Sequence, residues 1–118
     1  MNKVRKEIYK EKEVLIVDYS GCRGKEMIDI FEEAKKLAQT ESKQVVILNI
    51  FDNRTYVSPS FMRHIENNLN EVDWLINKNA IIGLSSLQEW ILKGMNLWYK
   101  RQIYSFETKE QALEFLVQ

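Results

Sequence analysis

The sequence contains few of the residues that build disulfides, metal centres and tight turns. Its 118 residues include one cysteine, one histidine, one proline and four glycines. The single cysteine, Cys22, excludes a disulfide within the chain and a multi-cysteine metal site. Because such a chain suits a reducing compartment, we expect a cytoplasmic protein. We also expect that it uses no metal and no other cofactor.

Long apolar runs and an excess of one charge are also absent. Lys and Arg together number 17, as do Asp and Glu, so the formal net charge is zero. Nucleic-acid-binding proteins usually carry a basic stripe, and we therefore expect no nucleic-acid partner. The apolar runs are too short to cross a bilayer, and the charged residues 1–13 lack the apolar region of a secretory signal. The sequence predicts no stable membrane insertion.

Apolar strands alternate with amphipathic helices along the chain. Hydrophobic residues make up 45% and charged residues 29%, which is ordinary for one globular domain over residues 1–118. Two strands around a charged turn are expected over residues 3–19, and further strands over 44–50, 80–84 and 102–106. Expected helices cover 26–42, 59–79, 86–100 and 109–117, with a capping box at Ser86 and Glu89. The order ββαβαβαβα predicts an α/β fold with a mostly parallel five-stranded sheet and an antiparallel strand at its edge.

The stretch KNAIIGLSSLQEWILKGMNLWYKRQIYSFETKEQALEFLV, residues 78–117, has the pattern of a known fold family. A buried A-x-x-G strand leads to an apolar helix, a strand ending in Phe, and the segment TKEQALEFL. This pattern resembles small stand-alone bacterial proteins of the STAS-like superfamily, which includes anti-sigma-factor antagonists and, more distantly, CRAL-TRIO lipid-transfer domains. The resemblance implies a single STAS-like domain, and packing motifs of this kind specify fold better than activity.

The same resemblance draws attention to Ser58. In the antagonists a partner kinase phosphorylates a serine at the start of the helix that follows the strand equivalent to residues 44–50, and Ser58 matches that position. The preceding aspartate of the family is Val57 here, so the family signature is altered. Ser58 followed by Pro59 also fits the start of a helix, with Val57 and Met62 at hydrophobic-staple spacing. Ser58 is thus a candidate phospho-acceptor or a helix cap.

The loop that leads to Ser58 is polar and follows the end of an expected strand. Ligands of open α/β sheets often bind beyond the carboxyl ends of the strands. Asp and Asn also favour turns for local reasons, so turn formation is the alternative explanation. The loop residues near the switch position are Asp52, Asn53, Arg54 and Thr55.

The third expected helix carries more apolar surface than one sheet face usually covers. A homodimer or partner interface, one wall of an apolar pocket, and a thick core are the three alternatives. The candidate interface or pocket residues are Trp90, Ile91, Met95, Trp98 and Tyr99.

Two functions follow as expectations. The first is a non-enzymatic STAS-like regulatory domain that binds a protein partner, because no catalytic constellation is visible in the sequence. The second is a binding protein for a small apolar molecule or lipid, by analogy with CRAL-TRIO domains. The aromatic third helix and the methionines Met27, Met62 and Met95 favour the second reading.

Overall fold

The computed structural model describes residues 2–97 and 102–118, and within them the elements follow the predicted order ββαβαβαβα. The strands are β1 (Val4–Tyr9), β2 (Lys12–Asp18), β3 (Val45–Ile50), β4 (Ile76–Ile82) and β5 (Ile103–Phe106). The helices are α1 (Lys25–Gln39), α2 (Pro59–Val72), α3 (Ser86–Asn96) and α4 (Lys109–Leu116), with a short 3-10 helix over Asp73–Leu75. The predicted fold class is confirmed.

The five strands form one mixed sheet in the order β1-β2-β3-β4-β5. β1 pairs antiparallel with β2 through the tight turn at Lys10 and Glu11, and β2 to β5 are parallel to one another. β1 is therefore an edge strand, as its mixed polarity predicts. β2 is buried on both faces, which explains its continuous apolar run from Val14 to Val17.

Strand order explains where the helices lie. Consecutive parallel strands joined by right-handed crossovers place every connecting helix on the same face of the sheet. Accordingly α1, α2 and α3 share one face and one core cluster, which includes Met27, Phe61 and Leu92. The final helix α4 covers the opposite face, where Leu113 and Leu116 belong to a second core cluster with residues of the strands.

The second helix is shorter than the sequence predicts. Residues 59–79 were expected to be one helix, but α2 ends at Val72 and β4 begins at Ile76. Ile76 fits the apolar stripe of α2 at the i+4 spacing from Val72, yet it pairs with Val45 of β3. Pairing with a buried neighbouring strand overrides the local helical pattern here.

The start of α3 also differs by one residue from the prediction. The capping box is formed by Ser85 and Gln88, not by Ser86 and Glu89. Both serines have a suitable polar residue three positions later, so the sequence pattern alone does not separate them. A second capping box, between Thr108 and Gln111, begins α4.

Within the described residues, no helix is long and apolar enough to cross a bilayer. The longest helix, α1, has 15 residues, and charged side chains recur along it.

Candidate functional site

An apolar cavity of about 110 Å³ lies between the sheet and the three helices on its first face. α1 packs beside α2, whereas α3 packs on β5, and the cavity occupies the space between them. The strands, and the residues just after β2 and β3, supply its floor. The strand residues are Val17, Ile47, Asn49, Asn79, Ile81 and Ile103, and those just after the strands are Tyr19 and Phe51. We call this space the α3 cavity.

Helix α3 is apolar on two sides. Its inner side lines the α3 cavity with Ile91, Leu92 and Met95, and Leu92 is buried. On its outer side Leu87 and Trp90 are each 72% exposed, and Leu97, which follows the helix, is 84% exposed. The candidate residues Ile91 and Met95 therefore face the cavity while Trp90 faces solvent, and Trp98 and Tyr99 lie outside the described residues.

Two asparagines lie in the otherwise apolar floor. Asn49 of β3 and Asn79 of β4 are neighbours across the sheet, and the Asn49 Nδ2 donates to Asn79 Oδ1 at 2.6 Å. The same nitrogen also donates to the Ala80 carbonyl oxygen at 3.0 Å. Both side chains line the α3 cavity. The sequence analysis missed this pair, because residues 76–79 were assigned to a helix.

The rim of the cavity beside α1 and α2 holds a network of charged groups. Lys35, which lines the cavity, donates from Nζ to Asn68 at 2.8 Å and lies 3.2 Å from a Glu71 oxygen. Burial lowers the pKa of Lys35, but its contacts with Glu71 and Glu32 outweigh burial and raise the pKa overall. His64 pairs with Glu32 at 2.8 Å, a contact between two helices that sequence spacing does not reveal.

The loop after β3 is held rigid by its own polar side chains. The Asp52 carboxylate accepts hydrogen bonds from the backbone N–H groups of Gly21 and Arg54, each at 2.9 Å. Thr55 is buried and donates from its hydroxyl to the Tyr19 carbonyl oxygen at 2.9 Å. Asn53 and Arg54 are exposed. The predicted loop thus joins the ends of β2 and β3, and the Gln88 side chain ties it to α3 by donating to the Thr55 carbonyl oxygen at 2.9 Å.

Asp52 makes the free energy of unfolding depend on pH. The hydrogen bond from Gly21 N–H, with those from Arg54, lowers the pKa of its carboxyl from 3.8 to about 2. A lowered folded-state pKa stabilises the protein above pH 4, and this stabilisation disappears as the pH falls towards 2. With the side chain 29% exposed, we expect Asp52→Asn to lower the unfolding free energy by about 1 to 2 kcal/mol at pH 6. Denaturant titrations should show the deficit shrinking between pH 4 and 2; a deficit independent of pH would contradict this account.

Ser58 begins α2 as its N-cap. Its hydroxyl oxygen accepts a hydrogen bond from the Phe61 backbone N–H at 3.1 Å, and Pro59 occupies the first helical position. Val57 and Met62 both line the α3 cavity, so this helix start forms part of the cavity wall. The structure thus agrees with the helix-cap reading of Ser58.

Cys22 is placed where its thiol is unreactive. It is 1% exposed, and burial raises the pKa of the thiol. Within residues 2–97 and 102–118, no cluster of three or more His, Cys, Asp or Glu side chains is placed to hold a metal ion.

Three helices on one face of a five-stranded mixed sheet, with a fourth on the other face, define the STAS-like class of α/β fold. A crystal structure with this architecture is that of an uncharacterised protein from the DUF3478 family, with a SpoIIAA-like fold, from Shewanella loihica PV-4. The two align with a TM-score of 0.68 and 16% identity, over 96% of this chain and 91% of that chain. No family model and no curated protein matches the sequence. At this identity the similarity shows the fold, and it confirms the predicted STAS-like fold.

Proposed function

We propose that this protein is a non-enzymatic, cytoplasmic binding domain that holds a small apolar molecule in the α3 cavity. The observation that carries the proposal is the cavity itself, about 110 Å³ of space with a mostly apolar lining. The interiors of proteins are normally packed with few voids larger than a water molecule. A cavity of similar size lined by aliphatic side chains can bind a ligand as large as benzene.

Apolar space that no side chain fills leaves the groups around it without packing contacts. A bound apolar molecule restores these contacts, which favours a ligand-binding role for the space.

The walls of the cavity suit a ligand that enters and leaves. Met62 and Met95 line it from α2 and α3, and methionine adapts to different shapes better than branched residues do. Helix α3 rests on the short edge strand β5, and Leu87 and Trp90 on its outer side are exposed. Displacement of α3 would therefore open the cavity with less loss of contacts than displacement of α1 or α2.

The absence of a catalytic arrangement among the described residues supports a binding function. The buried Cys22 has a raised pKa, and among the described residues the His64 ring is hydrogen-bonded to Glu32 and to no hydroxyl or thiol. An activated nucleophile requires a base within hydrogen-bonding reach.

Native mass spectrometry of protein purified from cells tests the proposal. We expect a bound small molecule to be retained, and its removal by mild denaturation and refolding to lower the melting temperature. Adding benzene to the stripped protein should restore part of that loss, because a ligand that binds only the folded state stabilises it. If no small molecule is retained and benzene does not change the melting temperature, the proposal is overturned.

A second candidate function is favoured by the outer side of α3. Leu87, Trp90 and Leu97 are exposed there, and we propose that a second copy of this chain covers them in a STAS-like protein-interaction and regulatory module. The formal net charge of zero leaves no net repulsion between copies. Sedimentation should then show a dimer that Trp90→Glu dissociates and the control Trp74→Glu does not. A wild-type monomer at all concentrations would count against it.

Ser58 is the candidate switch of that regulatory reading. A cap alone predicts that Ser58→Ala lowers the unfolding free energy by about 1 kcal/mol, while Ser58→Asp, which keeps a capping oxygen, loses little. Phosphorylation at this position would place negative charge at a helix N-terminus, which tolerates it. If Ser58 is a switch, Ser58→Asp should change the sedimentation behaviour at unchanged stability; identical sedimentation of all three proteins would assign Ser58 to capping.

A further inference from the structure

We infer that the ligand of the α3 cavity carries one hydrogen-bond donor and one acceptor on a compact apolar body, as a primary carboxamide does. Asn49 and Asn79 form the hydrogen bonds with these two groups. The inference deepens the proposed function and rests on it. It comes from the only two asparagines among the residues that line the cavity within the described part of the chain.

The orientation of the Asn49 amide is fixed by its neighbours. Its side-chain nitrogen lies 3.0 Å from the Ala80 carbonyl oxygen, which can only accept. The group facing Ala80 must therefore be the NH₂, and the same NH₂ gives its second hydrogen to Asn79 Oδ1 at 2.6 Å. Both donor hydrogens of Asn49 are used, so its Oδ1 is the atom that remains to accept a hydrogen bond.

The orientation of the Asn79 amide follows from that of Asn49. Since Asn79 Oδ1 accepts from Asn49, its Nδ2 carries the two remaining donor hydrogens. Within residues 2–97 and 102–118, neither Asn49 Oδ1 nor Asn79 Nδ2 has a hydrogen-bond partner in the protein. These two atoms are also not sealed from solvent, because no unpartnered side-chain nitrogen or oxygen is fully buried in the described residues.

One acceptor and one donor are therefore left on two neighbouring side chains that line the cavity. A carboxamide has the complementary arrangement, because its carbonyl oxygen accepts from Asn79 Nδ2 while its N–H donates to Asn49 Oδ1. A neutral carboxylic acid offers the same pair of groups. A charged carboxylate fits less well, because it has no hydrogen to donate to Asn49 Oδ1.

The fully packed positions around the pair favour a ligand over a purely structural explanation. Ile47 and Ile81, on the same strands and the same face, are buried and apolar, which is what a sheet face under three helices ordinarily requires. Packing does not require two amides in their place, and the free atoms of the amides remain accessible to a ligand. A ligand that pairs both atoms is bound selectively, because an analogue without the matching groups leaves them unpaired.

Nuclear magnetic resonance titration of the stripped protein tests the inference with two isosteric probes, isobutyramide and 2,3-dimethylbutane. The methyl groups of Met62 and Met95 report occupancy of the cavity, and the Asn79 side-chain NH₂ reports the hydrogen bond. We expect both probes to shift the methyl signals and only isobutyramide to shift the NH₂ signals. In Asn79→Leu, which keeps the number and branching of the side-chain heavy atoms, isobutyramide should lose about tenfold more affinity than 2,3-dimethylbutane does.

Asn70→Leu, at an exposed position of α2 outside the cavity, is the matched control and should bind both probes like the wild type. Should Asn79→Leu fail to fold, the wild-type NH₂ signals decide the matter alone. If 2,3-dimethylbutane binds but the NH₂ signals ignore isobutyramide, the inference is overturned and the proposed function stands. If neither probe shifts Met62 and Met95, the proposed function fails and the inference fails with it.

Discussion

Replacing Gly83 with alanine is expected to destabilise the protein by about 4 kcal/mol or more, near the upper end for a single substitution. Gly83 links β4 to the loop before α3 and has a φ of 84°, a backbone conformation that residues other than glycine rarely adopt. An added Cβ would overlap the Phe51 carbonyl oxygen and lie 2.7 Å from its carbonyl carbon. Phe51 cannot move away freely, because its N–H donates to the Ile82 carbonyl oxygen at 2.9 Å and its side chain lines the α3 cavity.

Gly94→Ala provides the matched control for Gly83→Ala. Gly94 lies inside α3, and an added Cβ there meets nothing within 4 Å. Alanine is a better helix former, so we expect a gain of about 0.5 to 1 kcal/mol. Urea titration of both variants measures the contrast. Equal and small effects of the two substitutions would show that Gly83 does not hold the β4–α3 connection against Phe51.

Filling the α3 cavity by Ala34→Leu is expected to raise stability and to abolish ligand binding. Ala34 of α1 lines the cavity, and leucine adds three carbon atoms directed into it. Burial of these atoms contributes about 1 to 2 kcal/mol after the loss of side-chain freedom, which corresponds to a rise of about 4 to 8 °C in melting temperature. Calorimetry measures the stability, and titration with benzene measures the binding.

A loss of stability in Ala34→Leu would remove the basis of the ligand proposal. If the space beneath α3 is already packed, the larger side chain must displace its neighbours, and overpacking lowers stability by about 1 to 3 kcal/mol. Glu33→Leu, the adjacent exposed position on the same helix, controls for the helix propensity and hydrophobicity of leucine. It should leave benzene binding unchanged.

The sequence predicts the order of the elements because strands and helices here differ in the period of their apolar residues. The run at β2 and the stripe of α1 are both unambiguous. What the pattern does not give is which side of α3 meets the protein, because that helix is apolar on both sides. Leu92 is buried and Trp90 is exposed, and only the packing of α3 on β5 decides between them.

The start of β4 is hidden in the sequence for a physical reason that bears on function. Asn77 and Asn79 interrupt the apolar character of the strand, so the pattern from Val72 to Ile76 reads as helix. Asn79 lies on the floor of the α3 cavity, where a purely structural strand would carry an aliphatic residue. Local rules tend to fail at functional positions, and the failure here coincides with the candidate site. The Asn49–Asn79 and Glu32–His64 pairs join distant parts of the chain, so no local spacing in the sequence predicts them.

Titration of methionine-methyl-labelled protein with benzene tests the central claim most directly. Met62 and Met95 line the α3 cavity, whereas Met27 is fully buried in the same core without lining it and serves as an internal control. A ligand in the cavity predicts saturable shifts of the Met62 and Met95 methyl signals and an unchanged Met27 signal. Unchanged Met62 and Met95 signals up to the solubility limit of benzene, or equal shifts at all three methionines, would contradict a ligand-binding cavity beneath α3.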